Sequence, residues 1–245
     1  ALCQNRKKNV LGGDVLIFQT IRFLVGQIND PLDTRRDKYL PRAAALRTTV
    51  RKTMLKNGRF TDNPSSSHTS LHSAVFPVYF GLATSGQLRD WGKFIVEKGM
   101  ACSVYGAQFL LECCYGNGLT EYAFELMTSS GLRSWLNMLE KGSTITMEAW
   151  DDSLKPNQDW NHAWGAAPAN IIPRCLCGVR PLEPGFRKFI VEPRPAGLSH
   201  FSLRHPTRHG PIELQWTPNE LILSIPEGTS AIYAGVPYQP GTHRL

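Results

Sequence analysis

Apolar residues recur at helical spacing through the first three quarters of the chain and at alternating spacing through the last quarter. The helical spacing predicts elements over residues 20–28, 43–55, 71–82, 88–96, 105–115, 121–127, 132–139 and 161–176. Gly86, Gly99, Gly116-Asn117-Gly118, Gly131 and Gly142 fall between them as stop signals. Pro41 is placed for the first turn of the second helix. Short helices with short Gly-containing links predict stacked antiparallel hairpins. Beyond Gly178 the pattern changes. Pro181, Pro184, Pro193, Pro195, Pro206 and Pro211 punctuate β-rich runs that predict strands over 188–191, 199–204, 211–216, 220–225 and 230–236. That series fits a small antiparallel β-sandwich or a β-sheet appendix, and the sandwich is the reading taken. The boundary falls between 178 and 185, giving a helical domain over 1–180 and a β-domain over 181–245.

Composition narrows the class without naming a function. The chain has 245 residues, 42% of them hydrophobic and 19% charged, as in an ordinary globular protein with ample core. The formal charge is +7. Part of the excess lies in Arg6-Lys7-Lys8 and in the arginines and lysines between 35 and 56. A nucleic-acid surface is one reading of that charge. No zinc-finger spacing, RRM-like strand motif or helix-turn-helix accompanies it, so a solvated helix face is favoured and no nucleic-acid partner is expected. No apolar run is long enough for a membrane span. Residues 15–25 are apolar but carry Gln19 and Arg22, and they read as a buried helix. The chain starts at Ala1 with no complete signal peptide, which reads as a processed product or a fragment and leaves the compartment open.

The six cysteines match neither a zinc site nor a disulfide framework. Cys113-Cys114 are adjacent and Cys175 and Cys177 form a CxC pair. Cys113, Cys114 and Cys175 sit in apolar helical patterns and read as small buried hydrophobes. His68 and His72 are four apart and would share a helix face if the helix began early enough. A zinc pair is one reading, and a polar loop capped by Ser70 or Thr69, with each imidazole bonded locally, is the other. No third ligand is apparent, and neither a metal nor a cofactor is expected.

The densest chemistry lies in 142–169, GSTITMEAWDDSLKPNQDWNHAWGAAPA. One glutamate, Glu148, stands among Trp150, Trp160 and Trp164, with Asp151, Asp152, Asp159, Asn161 and His162 close by. Indole rings stack on the C–H faces of a sugar, and carboxylates and amides bond its hydroxyls. A carboxylate among apolar rings is also expected to have its pKa raised, which suits acid–base work. The same residues fit a Trp-rich core loop beside a solvated acidic turn. Tyr105 and Gln108, in the small-residue run 100–109, are further pocket candidates.

These patches follow one another in a recognisable order. GRFTDNPSSSHTSLHSAVFPVYFGL, GMACSVYGAQFLLECCYGNG, SWLNMLEKGSTITMEAWD and QDWNHAWGAAPANIIPRCLCGVRPLEPGF, with a β-domain entry at FIVEPRP and GPIELQW, resemble the C-terminal part of the bacterial α-L-rhamnosidases. The resemblance spans about residues 40–236 and is most specific around Glu148 and Asn161-His162. It implies an α+β multidomain chain, a partial α/α-barrel of helical hairpins followed by the β-sandwich. It implies an inverting glycoside hydrolase acting on terminal α-L-rhamnosides, with rhamnose-containing glycosides or polysaccharides as substrate. Glu148, in Thr146-Met147-Glu148-Ala149-Trp150-Asp151, takes the place of the general base. His72, Tyr105, Trp135, Trp150, Asn161, His162 and Trp164 are the implied substrate-binding residues. Met147 stands where many relatives carry Trp, a change expected to alter the sugar platform.

An inverting pair sets its carboxyls roughly 6.5–9.5 Å apart to admit a water. The resemblance places the partner acid upstream, in an acidic motif with an arginine. Asp14, Asp30, Asp33 and Asp37 do not match that motif. The expectation is therefore a chain holding the second half of the barrel, weakly active or inactive alone. The alternative is a non-catalytic carbohydrate-binding or scaffold protein built on the same barrel remnant.

Overall fold

The computed structural model describes residues 35–245, with side chains from Tyr39. The helix expected over 20–28, the buried segment 15–25, Cys3 and the upstream aspartates lie outside the described residues. The chain divides into two compact units, Ala1–Cys102 and Ser103–Leu245. This division passes through the helical region rather than along its junction with the strands.

In the first unit, α1 spans Arg35–Met54. Pro41 lies inside it rather than at its head, so one backbone hydrogen bond is missing there. A two-stranded hairpin follows, β1 (Leu55–Lys56) and β2 (Arg59–Phe60), which the apolar pattern does not reveal because it is so short. Helix α2 is Leu71–Tyr79 and α3 is Trp91–Lys98. Ser70 caps α2, its hydroxyl accepting from the Ser73 amide at 3.2 Å. Asp62 braces the cap, accepting from the Ser70 amide at 2.8 Å and the Ser73 hydroxyl at 2.6 Å.

In the second unit, α4 is Ala107–Gly116, α5 is Thr120–Thr128, α6 is Trp135–Glu140 and α7 is Ala167–Ile171. A π turn over Ile172–Leu176 continues α7. The continuous helix expected over 161–176 is therefore broken. Residues 163–165 form a 3-10 turn, Pro168 opens α7, and Pro173 sits in the π turn. Each proline lacks the amide that an uninterrupted helix needs. Leu110, Leu111, Cys113, Cys114 and Ile171 are buried, as a core-facing stripe requires. Burial pushes the Cys177 thiol up to about 12 and raises those of Cys113 and Cys175, as for inert packing groups.

Two four-stranded sheets follow. Sheet one has the order β3-β4-β8-β9, where β3 is Val179–Pro181, β4 Lys188–Val191, β8 Ser230–Tyr233 and β9 Val236–Tyr238. Sheet two has the order β10-β7-β6-β5, where β5 is Phe201–His205, β6 Ile212–Thr217, β7 Glu220–Ile225 and β10 Gly241–Arg244. Sheet two is wholly antiparallel. Sheet one departs from the antiparallel expectation at one pair, β4 with β8, which run parallel. The chain leaves after β4, builds β5 to β7 in the other sheet, and returns in the same direction, the long crossover a parallel pair needs. The strand expected over 230–236 is two strands, split by a two-residue turn at Ala234 and Gly235, both with positive φ. Phe189, Val191 and Ala231 of one sheet and Ile212, Leu214, Leu221, Leu223 and Ile225 of the other are buried, with polar neighbours between them. Gly178 makes the junction possible: its φ is +75°, and a Cβ there would fall 2.0 Å from the Glu192 carbonyl oxygen.

Candidate functional site

Residues 142–165 contain almost no regular structure, yet they are tightly tied. The strip 146–149 pairs with 158–162. The His162 amide donates to the Thr146 carbonyl at 2.8 Å, and the Thr146 hydroxyl donates back to the His162 carbonyl. The Glu148 amide donates to the Asp159 carbonyl at 2.9 Å, and the Ala149 amide to the Gln158 side chain at 2.8 Å. Asp151 anchors the turn beyond Trp150. It accepts from the Asn137 amide group at 3.0 Å, the Lys141 ammonium at 3.0 Å and the Ser153 amide at 2.9 Å. These bonds, led by that from Asn137, hold its carboxyl far below the usual carboxylate range. Asp152 accepts from Gln158 at 2.8 Å and from the Trp160 indole at 3.1 Å, and its pKa is lowered too.

Gly165 closes the strip against Val104. A Cβ at this position would lie 2.7 Å from Val104 Cγ1 and 3.0 Å from the Thr146 side chain. The Trp135 indole donates to the Gly165 carbonyl at 2.8 Å, and its ring meets Trp150 edge-on at 4.9 Å. Trp135 is thus half-buried scaffold beneath the strip. Trp150 is 1% exposed and belongs to the core, so it is removed from the substrate-binding set. Met147 is also fully buried, so a Met in place of Trp changes core packing and not an open sugar platform.

The exposed rings are others. Trp164 is 60% exposed, Trp160 42% and Tyr105 41%. Tyr105 and Trp164 lie 6.0 Å apart between ring centroids, and His162 lies 4.7 Å from Trp164. Asn161 is exposed beside His162. Gln108 faces elsewhere, bonded to Glu112 and to Asn170 in a network that Arg174 completes. Glu148 is half-buried. Its Oε1 is paired with the Lys155 ammonium and its Oε2 accepts from the Asp159 amide at 3.2 Å. The bond from Lys155, then that from Asp159, outweighs burial and lowers its pKa. This reverses the expected upward shift, because a cation and an amide, not the indole faces, are its nearest neighbours.

Glu148, Asp159 and His162 place their ligand-type atoms within 4.8 Å of one another, one such group among the described residues. The Glu148 oxygens are already engaged by Lys155 and by the Asp159 amide, and His162 Nδ1 lies 3.8 Å from the Asp159 carboxylate. The trio is a charge cluster completed by lysine.

His72 belongs to the first unit and Glu148 to the second. The His72 ring lies 5.7 Å from that of Phe76, tilted at 45°, and burial holds its imidazole below the ordinary value. His68 precedes α2 and bonds the Asp62 carboxylate at 2.5 Å, so the helix face that the two histidines were expected to share is not formed. Sequence reasoning missed Lys155 and Trp160 as site residues. Trp160 stood in the aromatic group from the start; for Lys155 no spacing signal existed.

The family model for the bacterial alpha-L-rhamnosidase 6 hairpin glycosidase domain matches residues 25–176. The chain belongs to the bacterial α-L-rhamnosidase family. The model for the family's C-terminal domain matches residues 178–234. A curated α-L-rhamnosidase of Streptomyces avermitilis is 27% identical over 158 residues, 59% of this chain and 15% of that protein. One from Alteromonas sp. is 27% identical over 122 residues, 46% of this chain and 13% of that protein. The chain thus spans about a seventh of these relatives. Among solved structures, the α-L-rhamnosidase from Dictyoglumus thermophilum superposes with a TM-score of 0.74 at 20% identity, covering 89% of this chain and 26% of that one. The Streptomyces avermitilis α-L-rhamnosidase complexed with L-rhamnose gives 0.68 at 18% identity, covering 81% of this chain and 20% of that one. These likenesses establish the helical-then-β fold. Among the described residues no helix is long and apolar enough to cross a membrane.

Proposed function

We propose that this chain carries the general-base side of an inverting α-L-rhamnosidase-type glycoside hydrolase, with Glu148 as the base. The carrying observation is the Glu148 carboxylate, held ionised within 4.8 Å of a His162 ring nitrogen, with the His162 ring in turn 4.7 Å from the exposed indole of Trp164. An ionised carboxylate can take a proton from a water attacking the anomeric carbon from the face opposite the leaving group. The exposed rings offer stacking surfaces for the sugar, with His162 and Asn161 bonding its hydroxyls. Domain limits of 1–180 and 181–245 accompany this reading.

Asp159 does not supply the acid. Its carboxylate lies within 4.8 Å of Glu148, closer than the roughly 6.5–9.5 Å that an attacking water requires. The relatives' extra length is where this reading puts the acid, and the chain tested alone is expected to turn over little substrate. The test is proton NMR of the first sugar released from an aryl α-L-rhamnoside by an enzyme joining this chain to the upstream part its relatives have. β-L-rhamnose as the first product supports the assignment, and α-L-rhamnose as the first product overturns it.

A further inference from the structure

Lys155 is delivered to Glu148 by a turn that is fixed on both sides. Its backbone amide and that of Leu154 donate to the Asp151 carbonyl, at 3.3 and 3.0 Å, and its own carbonyl accepts from the Gln158 amide at 3.1 Å. Asp151 is pinned by Asn137, Lys141 and the Ser153 amide. Gln158 bridges Asp152 and the Ala149 amide, one residue from Glu148. A lysine on a free loop would sample many rotamers. Here the stem starts from a held backbone, and the ammonium ends on Glu148 Oε1.

We propose that Lys155 is a positioning residue for Glu148: its ammonium holds Oε1 while the Asp159 amide holds Oε2, fixing the carboxylate in one orientation next to His162. The inference deepens the general-base reading of Glu148 and rests on it for its catalytic meaning. A carboxylate has about four lone-pair sites. Two are engaged, so one on each oxygen stays open to a water. Lys155 therefore orients the base without occluding it. The other charged or titratable groups facing Glu148 are His162 and, through His162, the Asp159 carboxylate. Lys155 is the one that touches a carboxylate oxygen of Glu148. Removing it leaves Oε1 without a donor and lets the carboxylate rotate about its remaining bond to Asp159.

The test is a 13C NMR titration of the 245-residue chain labelled at glutamate Cδ, with the Glu148 signal assigned through Glu148→Gln. The midpoint of Glu148 should lie below that of a free glutamate in the wild type. It should move up in Lys155→Met and return in Lys155→Arg, which restores the charge. An unchanged midpoint in Lys155→Met overturns the proposal. The second readout is the pH profile of the enzyme bearing the upstream part. Lys155→Met should shift the acidic limb to higher pH and lower kcat more than it raises KM, and Lys155→Arg should recover most of both. If Glu148→Gln abolishes turnover while Lys155→Met leaves titration and acidic limb in place, the positioning role falls and the general base stands. If Glu148→Gln leaves turnover intact, the general-base reading falls, and with it the catalytic meaning of Lys155.

Discussion

Residues 142–165 and residues 201–225 are of nearly equal length, lie in the same compact unit, and are built on opposite plans. The second stretch is the ladder β5-β6-β7. Leu203 faces Leu214 and Leu214 faces Leu223 across the strands, and every second side chain of β6 and β7 turns inward. Its backbone bonds itself, so its side chains are free to make core. The first stretch has no ladder to use. Side chains of Thr146, Gln158, Asp151 and Asp152 satisfy its backbone and one another, and two of its three indole rings, those of Trp160 and Trp164, are left in solvent. A stretch whose polar groups are satisfied locally can present a carboxylate and aromatic faces outward. The comparison teaches that stability and chemistry are carried by different stretches of the same unit.

Substitutions can break that division. The largest stability effect is expected in the ladder. Leu223→Ala, at a fully buried position, should cost about 2–5 kcal/mol in denaturant unfolding. It should leave the affinity of the folded protein for L-rhamnose unchanged in calorimetry. Gly165→Ala comes next and tests the seam between the two plans. Its methyl would meet Val104 and the Thr146 side chain, costing about 1–3 kcal/mol and weakening sugar binding as the 146–162 clasp opens. Trp164→Ala should reverse the pattern of Leu223→Ala, losing roughly 0.5–1.5 kcal/mol of sugar affinity. Its melting temperature should hardly move, because the ring is mostly in solvent.

The smallest effect is the most specific. Hydrogen bonds from Asn137 and Ser153, with the Lys141 ammonium, hold Asp151 well below its unfolded value, which is near 4. Its contribution to stability is therefore complete above that value and declines as the pH falls below it toward the folded pKa. Thermal melts between pH 7 and pH 2 should show a shallower acid loss for Asp151→Asn than for the wild type.

The two plans also differ in how much the sequence reveals. Strands 188–191 and 220–225 and the Ser70 cap read directly, because alternation and capping are local properties. The parallel pairing of β4 with β8 does not, since it depends on where the chain goes between them. The grouping of Glu148, His162 and Trp164 was legible from residue types close in sequence. Which tryptophans face water was not. Trp150 and Trp160 look alike in the sequence, yet one packs edge-on against Trp135 in the core and the other bonds Asp152 at the surface, contacts that only the folded turn between them sets. The pKa of Glu148 was misjudged for the same reason: Lys155 is seven positions away and reaches it through that turn.

The central claim is that Glu148 is the group that takes the proton from water. The direct measurement is turnover of an aryl α-L-rhamnoside by wild type and Glu148→Gln, in an enzyme that joins this chain to the upstream part its relatives have. The amide nearly preserves shape and cannot accept that proton. Turnover should fall on the order of 10²–10⁴-fold with KM little changed. Azide should restore reaction in the mutant through a product of inverted configuration. A mutant within about threefold of wild type, a difference smaller than general-base loss can produce, would contradict the account.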